Sequence, residues 1–184
     1  MRWVPLAILA YLVLLAQTTV GRVLAFDWPA VGTIGPDLLA MVAVYGALHA
    51  RLRADAMLAA WGLGLLVDLT TAGGPGTVTR VGPMAAGYVL AVWVVASLRE
   101  AFFRERAGAQ VLLAAVFCAV AHGLWVTAQS LLAMRWADYG AMLLQAACLA
   151  AYTGLLMPLG HWALRRCHGL ILSTPPERSR RRGR

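Results

Sequence analysis

Long apolar runs separated by short charged segments dominate this chain. A membrane-spanning helix needs roughly 20 mostly apolar residues to cross about 30 Å of hydrocarbon. Four charge-free runs approach or exceed that length, and they extend from Trp3 to Gly21, Val81 to Leu98, Ala107 to Met134 and Tyr139 to Leu164. Each run predicts a transmembrane helix.

Two shorter apolar runs lie between the first and second of these, Leu38 to Ala50 and Ala56 to Val67, and charged residues bound both. Either run crosses a bilayer only if its ends extend. The first can begin at Pro36, because the fixed φ of proline suits a first helical turn. Asp37 beside it complements the positive end of the helix dipole.

The alternative for these two runs is a re-entrant hairpin that enters and leaves on the outer side. That arrangement would leave Arg51, Arg53 and Asp55 at mid-membrane depth, where each charge costs roughly 2.5 kcal/mol or more. As ends of two short spans, the arginines instead extend toward the far surface. We therefore predict an all-α polytopic membrane protein with six spans.

The predicted membrane domain covers residues 1–171, with spans at about 3–21, 36–52, 54–70, 81–98, 109–133 and 139–163. The first span has an alternative, since Arg2, the apolar run and Val23-Leu24-Ala25 imitate a cleavable signal peptide. Its apolar run exceeds that of a signal peptide and Arg22 precedes the imitated cleavage site, which favours a membrane anchor.

Composition and charge agree with a membrane protein. Hydrophobic residues make up 61% of the chain and charged residues 13%, and the net charge is +8. Six spans place every arginine except Arg22, Arg80 and Arg135 on one side, which predicts the cytoplasm for that side and for both termini. The arginines follow this topology pattern, and no basic face with interleaved aromatic residues is present in the sequence. Nucleic acid is therefore not the favoured partner.

The segment 172–184 has two prolines, many arginines and no apolar anchor, so we predict a disordered cytoplasmic tail. Its charge can bind anionic lipid or serve only as a topology signal.

Few residues offer chemistry. Asp68 is a candidate cation or proton site, but we favour a solvated interfacial carboxylate that accepts hydrogen bonds from backbone N–H groups of the glycine-rich turn after it. That turn contains Gly73, Gly74 and Gly76. It is not a phosphate loop, because no Lys-Ser or Lys-Thr follows it and it does not lead from a strand into a helix.

His122 and Gln129 share one face of the fifth span and Gln145 lies in the sixth. These residues are candidates for a polar seam lining a small cavity, but we favour interhelical hydrogen bonds. No carboxylate accompanies them to form a relay, and His49, His161 and His168 lie near cytoplasmic ends. The three cysteines fit neither a disulfide framework nor a zinc site. No catalytic motif is present, so we predict no enzyme, no metal and no cofactor.

The segment from Gly35 to Tyr88 resembles the rod shape-determining protein MreD family of small multi-pass bacterial membrane proteins. The matching features are Pro36-Asp37-Leu38-Leu39, the run Gly62-Leu63-Gly64-Leu65-Leu66-Val67-Asp68-Leu69, the turn Gly73-Gly74-Pro75-Gly76, and Gly87-Tyr88. Length, span count and cytoplasmic ends extend the resemblance over most of the chain.

The resemblance implies a component of the cell-elongation machinery in the bacterial cell (inner) membrane. It implies an MreC-like partner, with the RodA polymerase, its penicillin-binding transpeptidase and the MreB filament nearby. It also implies a fold similar to the substrate-binding subunits of energy-coupling-factor transporters, and no catalytic residues. Candidate partner-binding residues are Pro36, Asp37, Asp68, Gly73, Gly74, Gly76 and Arg80. The alternative function is a vitamin-type binding subunit of a transporter.

The distribution of arginines predicts the side on which the tail lies. A cysteine introduced by Ser179→Cys should react with an impermeant maleimide only after cells are opened, because the basic tail stays in the cytoplasm. A cysteine introduced by Thr77→Cys in the predicted outer turn should react in intact cells. Labelling of the tail cysteine from outside would overturn the predicted topology.

Overall fold

A computed structural model gives the structure of the chain over residues 2–29, 31–71, 81–99, 107–134 and 136–171. The predicted turn with Gly73, Gly74 and Gly76, together with Arg80, lies outside these residues. The predicted disordered tail at 172–184 lies outside them as well.

The described residues form seven helices and one two-stranded antiparallel sheet. In chain order they are α1 (Trp3–Leu24), β1 (Phe26–Trp28), β2 (Gly32–Ile34), α2 (Leu38–His49), α3 (Arg53–Thr71), α4 (Pro83–Leu98), α5 (Ala107–Ala133), α6 (Tyr139–Arg166) and α7 (His168–Ile171).

Three of these helices, α1, α5 and α6, are long and apolar enough to cross a membrane, with 22, 27 and 28 residues. The shorter helices α2 and α4 are also apolar. Large apolar side chains are exposed on the outside of the bundle, and tryptophans such as Trp61, Trp93 and Trp162 are about half exposed. Water is a poor solvent for such a surface, so the structure indicates a membrane protein. The predicted helical membrane architecture is confirmed to this extent.

Helix α2 lies at the centre of the bundle and packs against α1, α3, α4, α5 and α6. Every residue from Leu39 to Leu48 is buried, so no face of this helix needs to be polar. The predicted span at 36–52 is longer than the 12-residue helix observed. The difference arises because Asp37 caps the helix start and the backbone turns extended at Ala50.

The hairpin of β1 and β2 departs from the all-α prediction. It pairs Phe26 with Ile34 and Trp28 with Gly32, and it follows α1 directly. Helix α6 holds the hairpin, because the Gln145 amide donates to the Thr33 carbonyl oxygen at 2.9 Å. Strands of three residues are too short for alternation of polar and apolar positions to predict them.

Glycines allow neighbouring helices to approach closely. A Cβ added to Gly64 on α3 would lie 2.6 Å from the Ala85 Cα on α4. A Cβ added to Gly87 on α4 would lie 2.7 Å from the Ala121 carbonyl oxygen on α5. Small residues on α6 behave differently, since Ala147 and Ala151, four residues apart, are both exposed.

Gly64→Ala should lower the free energy of unfolding by roughly 1–3 kcal/mol, because the new methyl group has no space against the α4 backbone. Gly62→Ala on the same helix is the matched control, since no atom lies within 4 Å of the added Cβ. This control should be neutral or stabilising by up to about 1 kcal/mol. Equilibrium unfolding in mixed detergent micelles measures both, and equal stability of the two variants would contradict the packing described.

Candidate functional site

A buried carboxylate, Asp37, joins four helices at the start of α2. Its side chain is 3% exposed. The Asp37 Oδ2 accepts a hydrogen bond from the Tyr88 hydroxyl of α4 at 2.7 Å and lies 3.1 Å from the His122 Nε2 of α5. The Asp37 backbone N–H donates to the Thr153 hydroxyl oxygen of α6 at 3.0 Å. Residues far apart in the sequence thus share one polar cluster.

The same cluster satisfies the first N–H groups of α2, which no helical carbonyl can reach. The Asp37 Oδ1 accepts from the Ala40 N–H at 2.9 Å. The Gln17 side-chain carbonyl oxygen on α1 accepts from the N–H groups of Leu38 and Leu39, at 2.9 and 3.1 Å. Two side chains therefore cap the buried N-terminus of the central helix.

The predicted seam of His122, Gln129 and Gln145 is divided in the structure. His122 contacts Asp37, whereas Gln145 donates to the hairpin. The Gln129 side chain has no hydrogen bond among the described residues. The expectation that no carboxylate accompanies His122 was wrong. Asp37 precedes it by 85 residues, a separation at which spacing along the chain carries no information.

Asp68 plays a comparable structural role at the junction of α3 and α4. The prediction that the Asp68 carboxylate is solvated was wrong, because Asp68 is 1% exposed. Its oxygens accept from the backbone N–H groups of Gly82, Met84 and Ala85, at 2.9, 3.3 and 3.2 Å. The partners are backbone N–H groups, as expected, but they belong to the start of α4. Asp68 thus caps the N-terminus of the next helix.

An open cleft of about 560 Å³ extends from this cluster between the ends of several helices. Its polar lining includes Gln17, Arg22, Asp37 and His122. Its apolar lining includes Val67, Met84, Trp125 and Leu149. The volume lies within the usual range for small-molecule sites, roughly 300–1,000 Å³. Pro36, another predicted site residue, also lines the cleft.

A second cluster collects the three remaining histidines around Tyr45 of α2. The Tyr45 hydroxyl lies 2.7 Å from the His168 Nδ1, and the Tyr45 ring stacks on His49 with centroids 4.3 Å apart. The His161 ring centroid lies 5.3 Å from that of His49. Sequence spacing did not predict this grouping. Across the described ranges, no set of three or more His, Cys, Asp or Glu side chains is arranged to hold a metal ion.

Sequence reasoning missed Gln17 and Thr153 as members of the Asp37 cluster. Each is a polar residue inside an apolar helix, which is the one signal that could have indicated an internal hydrogen bond. Tyr88 was noted only as part of the resemblance.

Comparison of the chain with protein family models, with curated proteins and with solved structures found no match. The structure itself identifies the class of protein, a helical membrane protein with a buried polar cluster beside an open cleft.

Tyr88→Phe should lower the free energy of unfolding by about 1–2 kcal/mol, because the buried Asp37 carboxylate loses one of its donors. Tyr11→Phe is the matched control, since the Tyr11 side chain is 60% exposed and its hydroxyl has no partner among the described residues. Equilibrium unfolding in detergent micelles compares the two. The hydrogen bond would have no role in stability if both variants matched the unmodified protein.

Proposed function

We propose that the chain is a non-enzymatic membrane scaffold of the bacterial cell-elongation complex that binds an MreC-like partner and helps to control cell shape and peptidoglycan synthesis. The observation that carries the proposal is the connection between the residues of the MreD-like block. Asp37 and Tyr88, near opposite ends of that block, hydrogen-bond at 2.7 Å. Asp68, between them, caps α4. The residues that carry the resemblance thus form one structural unit.

This proposal includes six transmembrane helices with both termini in the cytoplasm. Helices α2 and α4 have 12 and 16 residues, fewer than a typical span. Because α2 is enclosed by other helices, its ends face protein, and its length need not match the hydrocarbon thickness. Arginine sidedness supports the orientation.

A groove on the outside of α3 and α4 supports the binding of a partner helix. The exposed indole rings of Trp61 and Trp93 line this groove, together with the small residues Gly82, Ala85 and Ala86. Its volume is about 580 Å³. Small residues let helix backbones approach closely in lipid, where apolar surface alone does not drive association. We assign this groove to a single apolar transmembrane helix of the MreC-like partner, which sits near the polymerase and transpeptidase and indirectly near the MreB filament.

Asp37 and Asp68 are buried, so neither carboxylate can contact a partner directly without a change in the bundle. Both side chains are engaged inside the bundle, so their substitution would disturb the fold and the partner surface together. The exposed residue Ala86 offers a cleaner test, because its side chain lines the groove without belonging to the core.

Ala86→Leu should reduce co-purification of the MreC-like protein from the native host at least fivefold, because the larger side chain occupies the groove. Ala151→Leu is the matched control, because Ala151 is also an exposed alanine but lies on α6, and it should leave co-purification unchanged. Unchanged recovery with Ala86→Leu would remove the groove from the proposal. Recovery of no elongation-complex protein with the unmodified chain would remove the scaffold function itself.

The cleft beside Asp37 favours a second candidate function, a small-molecule (vitamin-type) binding subunit of a membrane transporter. Such a subunit retains its ligand on purification and shows a saturable thermal shift.

A further inference from the structure

The cleft beside Asp37 contains hydrogen-bond donors that have no acceptor within the described part of the chain. Gln17 uses its side-chain carbonyl oxygen to cap α2, which leaves its amide N–H groups without a partner there. Arg22 is exposed and forms no ion pair with a described residue. The Trp125 indole N–H also has no described acceptor. All three residues line the same space.

Asp37, the carboxylate among the described residues that line the cleft, already has three partners. Asp37 accepts from the Ala40 N–H and the Tyr88 hydroxyl, and its Oδ2 lies beside His122. Both Asp37 oxygens are therefore occupied within the bundle, although the carboxylate keeps its formal negative charge. Arg22 is the charged lining residue whose side chain has no ion-pair partner among the described residues, so its guanidinium is the charged group available to a ligand.

The remaining lining is apolar and suits a hydrocarbon body. Val67, Met84 and Leu149 contribute to it, and the space of about 560 Å³ exceeds what a simple inorganic anion requires. Donors and a guanidinium beside an apolar lining match an amphiphile, in which an acceptor-rich head group is joined to an alkyl chain.

We propose that this cleft binds an anionic amphiphile, with its carboxylate or phosphate head group held by Arg22 and Gln17 and its hydrocarbon chain lying along the apolar lining. A free fatty acid and an anionic phospholipid share this chemistry. The site is independent of the partner groove at Ala86, which lies on the outside of α3 and α4. Its loss would therefore leave co-purification of a partner unchanged.

Laurate and its neutral ester, methyl laurate, test the proposal on the full chain in dodecyl maltoside micelles. At equal mole fraction in the micelle, laurate should raise the thermal unfolding midpoint saturably, and methyl laurate should not. Arg22→Gln should weaken the apparent affinity for laurate about tenfold, because the charged donor is lost. Arg2→Gln, at the other end of α1, is the matched control and should bind laurate as the unmodified chain does.

A second variant separates the cleft from general attraction of anions to a basic surface. Leu149→Trp keeps every charge but fills part of the apolar space, so it should also weaken laurate binding. Its unfolding midpoint without laurate reports whether it folds. Equal shifts with laurate and methyl laurate, or equal laurate affinity in Arg22→Gln and Arg2→Gln, would overturn the proposal. Undiminished binding in a folded Leu149→Trp variant would do the same.

Native mass spectrometry identifies the source of the head group. Preferential retention of phosphatidylglycerol over phosphatidylcholine by the unmodified chain, lost in Arg22→Gln, would assign the site to an anionic phospholipid. Retention of laurate without that lipid preference would assign it to a free fatty acid. Retention of neither would overturn the proposal.

Discussion

The rest of the structure depends on satisfying the polar ends of α2. This helix is surrounded by five others and cannot turn its terminal N–H and carbonyl groups toward water. An unsatisfied backbone group in such surroundings costs several kcal/mol. Asp37 and Gln17 satisfy the N-terminus, and the Arg99 guanidinium donates to the carbonyl oxygens of Ala47 and Ala50 at the other end. Side chains from α1 and the end of α4 therefore fix both ends of the central helix.

The junction of α3 and α4 repeats this solution on a smaller scale. Asp68 caps α4 with three hydrogen bonds, and Gly64 lets the same two helices meet backbone to backbone. In lipid, apolar side chains gain little by moving from solvent to a neighbouring helix. Directional hydrogen bonds at helix ends and close contacts at glycines therefore set the register between helices that look interchangeable by hydropathy.

The candidate cleft follows from this arrangement, because its polar lining includes Asp37 and Gln17, the two residues that cap α2. Asp37 and His122 contact each other within the bundle, and Arg22, Gln17 and Trp125 line the same open space. A site supported in this way is preorganised by the fold. The structure also gives a physical role to three residues of the segment that resembles MreD, because Asp37, Asp68 and Tyr88 form hydrogen bonds between its helices. A scaffold and a ligand-binding protein can share this framework, and the two differ in which surface is occupied.

The sequence by itself determined the apolar helices, most of their boundaries and a composition typical of a membrane protein, because the length and hydropathy of each run are local properties. Structure alone decided that α2 is central, that a hairpin follows α1, and that Asp37 meets Tyr88 and His122. The same limit applies to the polar residues of α5, because the interhelical hydrogen bonding expected for His122 is present but its partner, Asp37 on α2, was not predicted. Helical periodicity states which residues share a face, but the partner of that face is chosen by packing between segments far apart in the chain, and nothing in the local pattern encodes it.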